Sequence, residues 1–340
     1  MSQSDYIKEL AKYSLENDQE QLKETLRSLI DYSIKTKKTN FALQLQSILE
    51  DAIRKQNIGG MNVVGSPRYF QAADEREIQE LILEKLTSDY KISDLICSKK
   101  VANDLNYFLQ EQKFFSMLVN LELPVANKII LYGPSGCGKT LTSYVLAGEL
   151  KKMMYVVNLG AIVSSKLGET SKNLAKLFKK AASEDCIIFL DEFDSLGKIR
   201  DYDQDHGEMK RVVNTLLQLF DFLPKGTIVI AATNQIKMID DALIRRFDLS
   251  LKLGLPNKTE IKKLVENTLS KKNIKFDDKQ KADLLIKRCV GLSYYIIQKT
   301  LLTALKRSIL DLNLDILPNE LVIKTSIWEA LVDEEIDSKI

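Results

Sequence analysis

The sequence predicts an α/β protein: a parallel sheet with helices on both faces, followed by a small helical lid and preceded by an N-terminal helical bundle. Three observations predict it. Four short runs rich in Ile and Val, at residues 128–132 (KIILY), 154–159 (MYVVNL), 186–190 (CIIFL) and 227–232 (TIVIAA), alternate with longer amphipathic stretches. Such runs suit strands buried on both faces of a parallel sheet. A glycine-rich turn at 133–140 joins the first run to the helix after it. On either side of this block, residues 5–55 and those after Pro256 carry helical periodicity.

The chain has 340 residues, enough for two or three domains. Hydrophobic residues make up 45% and charged residues 28%, which fits a globular chain and not a disordered one. Lys and Arg (49) nearly balance Asp and Glu (47), for a net charge of +2. No global basic field argues for nucleic acid or anionic lipid, so neither is an expected partner. No apolar run approaches the ~20 residues of a membrane span. The start, MSQSDYIKEL, is polar and lacks a signal-peptide core, so a cytoplasmic protein is expected. Cys97, Cys137, Cys186 and Cys289 are scattered, with no C-x-x-C pair and no zinc spacing, and read as reduced thiols. One histidine, His206, argues against a multi-histidine metal site or Ser-His chemistry.

Residues 1–58 read as the N-terminal helical domain. Ile7, Leu10 and Ala11, then Leu22, Leu26, Leu29 and Ile30, then Leu45, Ile48, Leu49 and Ala52 recur at helical spacing. A bundle of about 50 residues is marginal alone, so it is expected to pack on a neighbour or pair with another chain. Residues 59–90 read as a linker with a helix. Three glycines and a Ser-Pro mark the linker, and Ile78, Leu81, Ile82 and Leu86 begin a helical pattern that runs to Leu123-Pro124. Residues 91–255 form the α/β core, and 256–340 the helical lid and C-terminal segment.

Gly133, Pro134, Ser135, Gly136, Cys137, Gly138, Lys139 and Thr140 fit G-x-x-x-x-G-K-[ST] in full, and Leu141 opens the helix that follows. This strand, loop and helix order is the phosphate loop of the P-loop NTPases. Glycines let backbone N–H groups turn toward phosphate oxygens, and the helix N-terminus adds partial positive charge. Lys139 would reach the β- and γ-phosphates, and the Thr140 hydroxyl would ligate Mg²⁺. Cys137 reads as filler beside the loop, although a helix N-terminus can lower a thiol pKa.

The run 187–192, IIFLDE, is four apolar residues followed by two acids. It delivers both carboxylates at the C-terminal end of a strand, where ligands of open α/β sheets bind. Asp191 suits the Mg²⁺ shell, and Glu192 suits a general base on the attacking water. Phosphate loop and acid pair together predict NTP hydrolysis, with Mg²⁺ as a ligand.

With these motifs in place the sequence resembles the AAA+ ATPases, over residues 90–310. Beyond the phosphate loop and DEFD, Ala231-Ala232-Thr233-Asn234 matches the family's sensor 1 strand, and the resemblance makes Asn234 the residue that orients water. The run 239–248, IDDALIRRFD, resembles the second region of homology. By that resemblance Arg245 and Arg246 are arginine fingers supplied to the next subunit's γ-phosphate, where a planar cation stabilises the transferring phosphoryl group. Gly291-Leu292-Ser293 resembles the sensor 2 segment, and Gly291 is expected to approach base or ribose by its backbone. Tyr294-Tyr295-Ile296 stands where the family usually has G-A-D, and a sensor 2 arginine is absent, as in the meiotic-type clades.

Lys166, Leu167 and Gly168 match the segment that lines the pore of hexameric remodellers. Lys166 stands where those proteins generally carry an aromatic residue. The apolar Leu167 beside it can still grip a chain, and Lys166 favours acidic segments. His206 falls where the family places a second pore loop, although a solvated loop explains that stretch as well.

The resemblance implies a ring, with a homo-hexamer as the expected form. Such a ring would remodel or unfold a protein substrate, or activate a partner such as a separately encoded protease. The N-terminal helices would select that substrate or partner. Two alternatives stay open at this point. One is a DNA-acting AAA+ protein, such as a loader or transposition helper. The other is a nucleotide-dependent regulatory switch.

Overall fold

A computed structural model describes residues 3–16, 18–36, 38–58, 81–157, 159, 169–195, 206–270, 274–311 and 321–338. Three helices open the chain: α1 (Gln3–Leu15), α2 (Gln19–Lys35) and α3 (Thr39–Ile58). Asp18 caps α2 by accepting the Gln21 N–H at 3.1 Å. The bundle's interior is small: Ile30, Ala42 and Leu49 are buried, with Leu26 and Leu45 beside them. α1 buries no residue fully. Two amides tie α3 to the rest of the chain. Asn40 Nδ2 donates to the Ser88 carbonyl at 2.6 Å, and Gln44 Nε2 donates to Thr87 Oγ1 at 2.7 Å.

The main sheet has six strands in the order β1-β3-β4-β5-β2-β6. They are β1 (Ile82–Leu86), β2 (Lys128–Tyr132), β3 (Met154–Val157), β4 (Ile187–Leu190), β5 (Ile228–Thr233) and β6 (Leu249–Lys252). β2 to β6 pair in parallel, with Ile129 opposite Ile230 and Leu249, and Tyr155 opposite Ile188. Helices connect the parallel strands. α4 (Lys99–Lys113) and α5 (Phe115–Asn120) precede β2, and α6 (Lys139–Leu150) follows it. α7 (Glu169–Ser183) lies between β3 and β4, and α8 (His206–Asp221) between β4 and β5.

Alternation along each strand buries both faces. Ile130, Tyr155, Ile188, Leu190 and Val229 face Leu174, Leu177 and Phe178 of α7 and Leu216 and Phe220 of α8. Ile129, Leu131, Met154, Ile187 and Phe189 face Leu105 and Phe108 of α4 and Val145 and Leu146 of α6. Full burial on both sides is why these strands read as continuous apolar runs.

Two sequence expectations need correction. The helical pattern at Ile82 and Leu86 is instead β1, antiparallel to β3 with Leu86 opposite Met154. The open edge of β3 offers a ladder partner, and pairing to it outweighs a weak local periodicity. Nor is the segment after Pro256 purely helical. α10 (Lys258–Ser270), α11 (Lys279–Arg288), α12 (Tyr294–Leu310) and α13 (Thr325–Asp337) surround a two-stranded parallel sheet, β7 (Ile274–Phe276) and β8 (Leu321–Ile323). A one-turn helix, α9 (Asp241–Ile244), precedes β6. The lid has its own interior around Trp328, whose ring stacks on Phe276 at 5.3 Å and whose Nε1 donates to Thr300 Oγ1 at 3.3 Å. Among the described residues no helix is long and apolar enough to cross a membrane.

Candidate active site

The C-terminal ends of β2, β5 and β4 lie side by side, because β5 pairs with both neighbours. Each end carries part of the site. The phosphate loop leaves β2 through Gly133, whose N–H donates to the Thr233 carbonyl at 3.3 Å. Gly133 has φ +144°, and a Cβ there would sit 1.9 Å from the Leu253 carbonyl oxygen. Only glycine fits such a conformation and approach. Gly138, also at positive φ, is the N-cap of α6. Cys137 is buried and packs into the core beside the loop.

Lys139 is buried, and its Nζ donates to the carbonyls of Gly133 and Pro134, each at 2.8 Å. Burial pushes its pKa below the ordinary lysine value, while Cys137, Asp191 and Asp194 pull it back up. Thr140 Oγ1 donates to Asp191 Oδ2 at 3.2 Å. The other oxygen of Asp191 accepts the Glu192 N–H at 2.8 Å. Glu192 is exposed and holds φ +50°, in the left-handed region. A non-glycine residue there stores strain, a feature that clusters at functional sites.

The β4 turn sorts its residues by side. Asp191 is half-buried and Glu192 exposed, while Phe193 and Asp194 are buried. The Phe193 N–H donates to the Ala232 carbonyl at 2.8 Å, which holds the turn to β5. Asp194 Oδ1 accepts the Thr233 hydroxyl at 3.0 Å and the Asn234 N–H at 3.3 Å. Asn234 itself is exposed at the end of β5. Thr233 and Asp194 were not singled out from the sequence. The signal available was the third acid of DEFD, one inward step beyond Phe193.

The lid reaches this edge directly. The Tyr295 N–H at the start of α12 donates to the Gly136 carbonyl at 3.1 Å. Gly136 has φ +72°, and a Cβ there would lie 2.7 Å from Ser293 Oγ. Tyr294 donates its hydroxyl to Glu260 Oε2 at 3.1 Å, and burial beside Glu260 raises its pKa. A cavity of about 230 Å³ adjoins the loop, lined in part by Cys97, Val101, Cys137, Leu253, Glu260 and Tyr294. Gly291, at φ +99°, lies on the exposed turn between α11 and α12.

The two arginines differ. Arg245 is exposed. Arg246 pairs with Asp221 at the end of α8, its Nε 3.2 Å from Oδ1, and that hydrogen bond raises its pKa. Lys166, Leu167 and Gly168 lie outside the described residues, as does the side chain of His206. Among the described residues no group of three or more His, Cys, Asp or Glu side chains could hold a metal ion by itself.

A family model described as "ATPase family associated with various cellular activities (AAA)" matches residues 129–255, from β2 past β6. An uncharacterized AAA family ATPase of Sinorhizobium fredii is 33% identical over 230 residues, covering 67% of this chain and 68% of that protein. The chain belongs to the AAA family of ATPases. This AAA ATPase is also similar to the ATPase family gene 2 protein of Schizosaccharomyces pombe, 34% identical over 189 residues. That match covers 53% of this chain but only 23% of the yeast protein. The crystal structure of the FIGL-1 AAA domain superposes with a TM-score of 0.61 at 20% identity, over 78% of this chain and 92% of that one. Family and fold agree with the phosphate loop and sheet order, and the protein is an enzyme that hydrolyses ATP.

Proposed function

We propose that this AAA ATPase cleaves ATP at the β2, β4 and β5 strand ends, and that it works as a ring, a homo-hexamer, on a protein substrate or partner. The observation that carries the reading is the 3.2 Å contact between Thr140 of the phosphate loop and Asp191 of the acidic strand end. It brings the residue types for binding phosphate and for activating water to one edge. Gly133 to Leu141 hold the phosphates, with Lys139 turning from its loop carbonyls to the β- and γ-oxygens. Two adjacent oxygens, from Thr140 and Asp191, fit a small hard cation that takes its remaining ligands from phosphate and water. Mg²⁺ held there supplies charge neutralisation on the phosphates. Glu192 polarises the attacking water and Asn234 orients it. Arg245, exposed at the surface, reaches the neighbouring subunit's nucleotide, and Arg246, held by Asp221, fixes the loop that presents it.

Substrate work then follows from the lid. Its hydrogen bond to Gly136 couples lid position to the phosphate loop, so each turnover moves the ring. The N-terminal helices select the client. The test begins with Glu192→Gln. It should bind ATP as the wild type does and lose about 10²–10⁴-fold in turnover. A pulldown with that variant should retain a protein client, and unfolded protein should stimulate wild-type turnover while DNA does not. Hydrolysis by Glu192→Gln near the wild-type rate would refute the base assignment, and stimulation by DNA alone would refute the substrate class.

A further inference from the structure

The acids and the water-orienting asparagine stand on different strands, so something must set the gap between them. Asp194 spans it. It is 2% exposed, and its Oδ1 accepts from both the Thr233 hydroxyl and the Asn234 backbone. Thr233 is 1% exposed and has two further bonds. Its Oγ1 accepts the Gln235 N–H at 3.0 Å, and its carbonyl accepts the Gly133 N–H at 3.3 Å. The chain of contacts therefore runs from the β4 turn through Asp194 and Thr233 to the start of the phosphate loop. The central Thr233–Asp194 bond is buried, and the links on either side of it join elements that each carry one part of the site.

We propose that Asp194 and Thr233 form a positioning pair that holds Glu192 and Asn234 at the separation one water needs, without either touching nucleotide. The inference rests on the reading of Glu192 as base and Asn234 as water positioner. Glu192 is exposed on a left-handed turn, so burial does not hold its side chain. The turn's orientation is set one step inward, by Phe193 in the core and by Asp194 bonded to Thr233 of β5. These two donors converge on Oδ1, an acceptor that an asparagine also offers and an alanine lacks. A shift of about 1 Å at a reacting group costs up to ~10²-fold in rate.

The test uses the full chain at concentrations where turnover per chain has stopped rising. Thr233→Val keeps the shape and removes the hydroxyl. It should lower kcat about 10- to 100-fold, with ATP affinity, read by a fluorescent ATP analogue, within about 2-fold of wild type. Thr233→Ser should restore most of the turnover. Asp194→Ala should match Thr233→Val. If Asp194→Ala fails to fold, the valine and serine pair still decides the matter. Wild-type kcat in Thr233→Val overturns the proposal. So does a joint loss of kcat and ATP affinity that serine fails to repair, because that marks a merely structural role. The Glu192→Gln control separates the two readings: if it hydrolyses ATP normally the base assignment has failed, and if it is inactive while Thr233→Val is normal only the positioning pair has failed.

Discussion

Gly148→Ala sets helix propensity against packing. Gly148 lies in the last turn of α6, where alanine ordinarily stabilises by ~1 kcal/mol. Here the Cβ would sit 2.2 Å from the Tyr90 carbonyl oxygen and 3.0 Å from that of Ser88. Ordinary contact begins near 3.4 Å, so the segment carrying Tyr90 must retreat by about 1.2 Å. That segment is pinned to the same helix: the Ile92 N–H donates to Glu149 Oε1 at 2.8 Å, and Lys91 Nζ donates to the Gly148 carbonyl at 3.3 Å. Overpacking costs ~1–3 kcal/mol and the loss of the Ile92 bond about 1 kcal/mol more. Net of the propensity gain, the variant should be less stable by ~1–3 kcal/mol. Urea unfolding followed by far-UV circular dichroism should show a midpoint lower by about 0.5–1 M. The single tryptophan, Trp328, reports the lid, so its fluorescence transition should move less. An alanine variant as stable as the wild type by circular dichroism, or more so, would refute the packing argument.

Mixing Arg245→Ala with Glu192→Gln, each inactive alone, should restore partial ATP hydrolysis if the arginine acts across a subunit boundary, and no mixing ratio should do so if it acts within its own chain. Burial raises the Cys289 thiol from the ordinary 9.0 to about 12. A thiol that ionises near 9 in the unfolded chain and near 12 in the folded one favours the native state below pH 9, and that contribution is lost as pH rises toward 12. Lid stability followed by Trp328 fluorescence should therefore fall between those values, and less steeply in Cys289→Ala. An equal slope in both would remove Cys289 from the account.

Much of the candidate site was legible in the sequence because its residues follow one another in the chain. Residues 133–140 are contiguous, and so are the apolar strand and the acids at its end. β2 to β5 were legible because burial on both faces leaves runs of Ile and Val. β1 and β6 were not, for the opposite reason. Leu83 of β1 is 63% exposed and β6 reads LSLK, so neither edge strand shows a buried run, and pairing to a neighbour defines both. β7 and β8 are three residues each and are separated by two helices, so no local pattern marks them. Nor could spacing tell Arg245 from Arg246, because the difference lies in Asp221, which the fold brings alongside from α8. Asp194 escaped notice because its partners are on another strand.

The lid keeps an interior of its own, from Ile261 to Val332, separate from the two layers that sandwich the main sheet. A unit packed in that way tilts as one piece and does not bend. It meets the phosphate loop at Gly136, whose carbonyl accepts the Tyr295 N–H and where an added Cβ would run into Ser293 and Tyr295. On the proposed mechanism, a shift of the loop at Gly136 is carried across the lid by α12, a helix of 17 residues. In that reading the lid is the arm of a crank and the Gly136 contact is its pin.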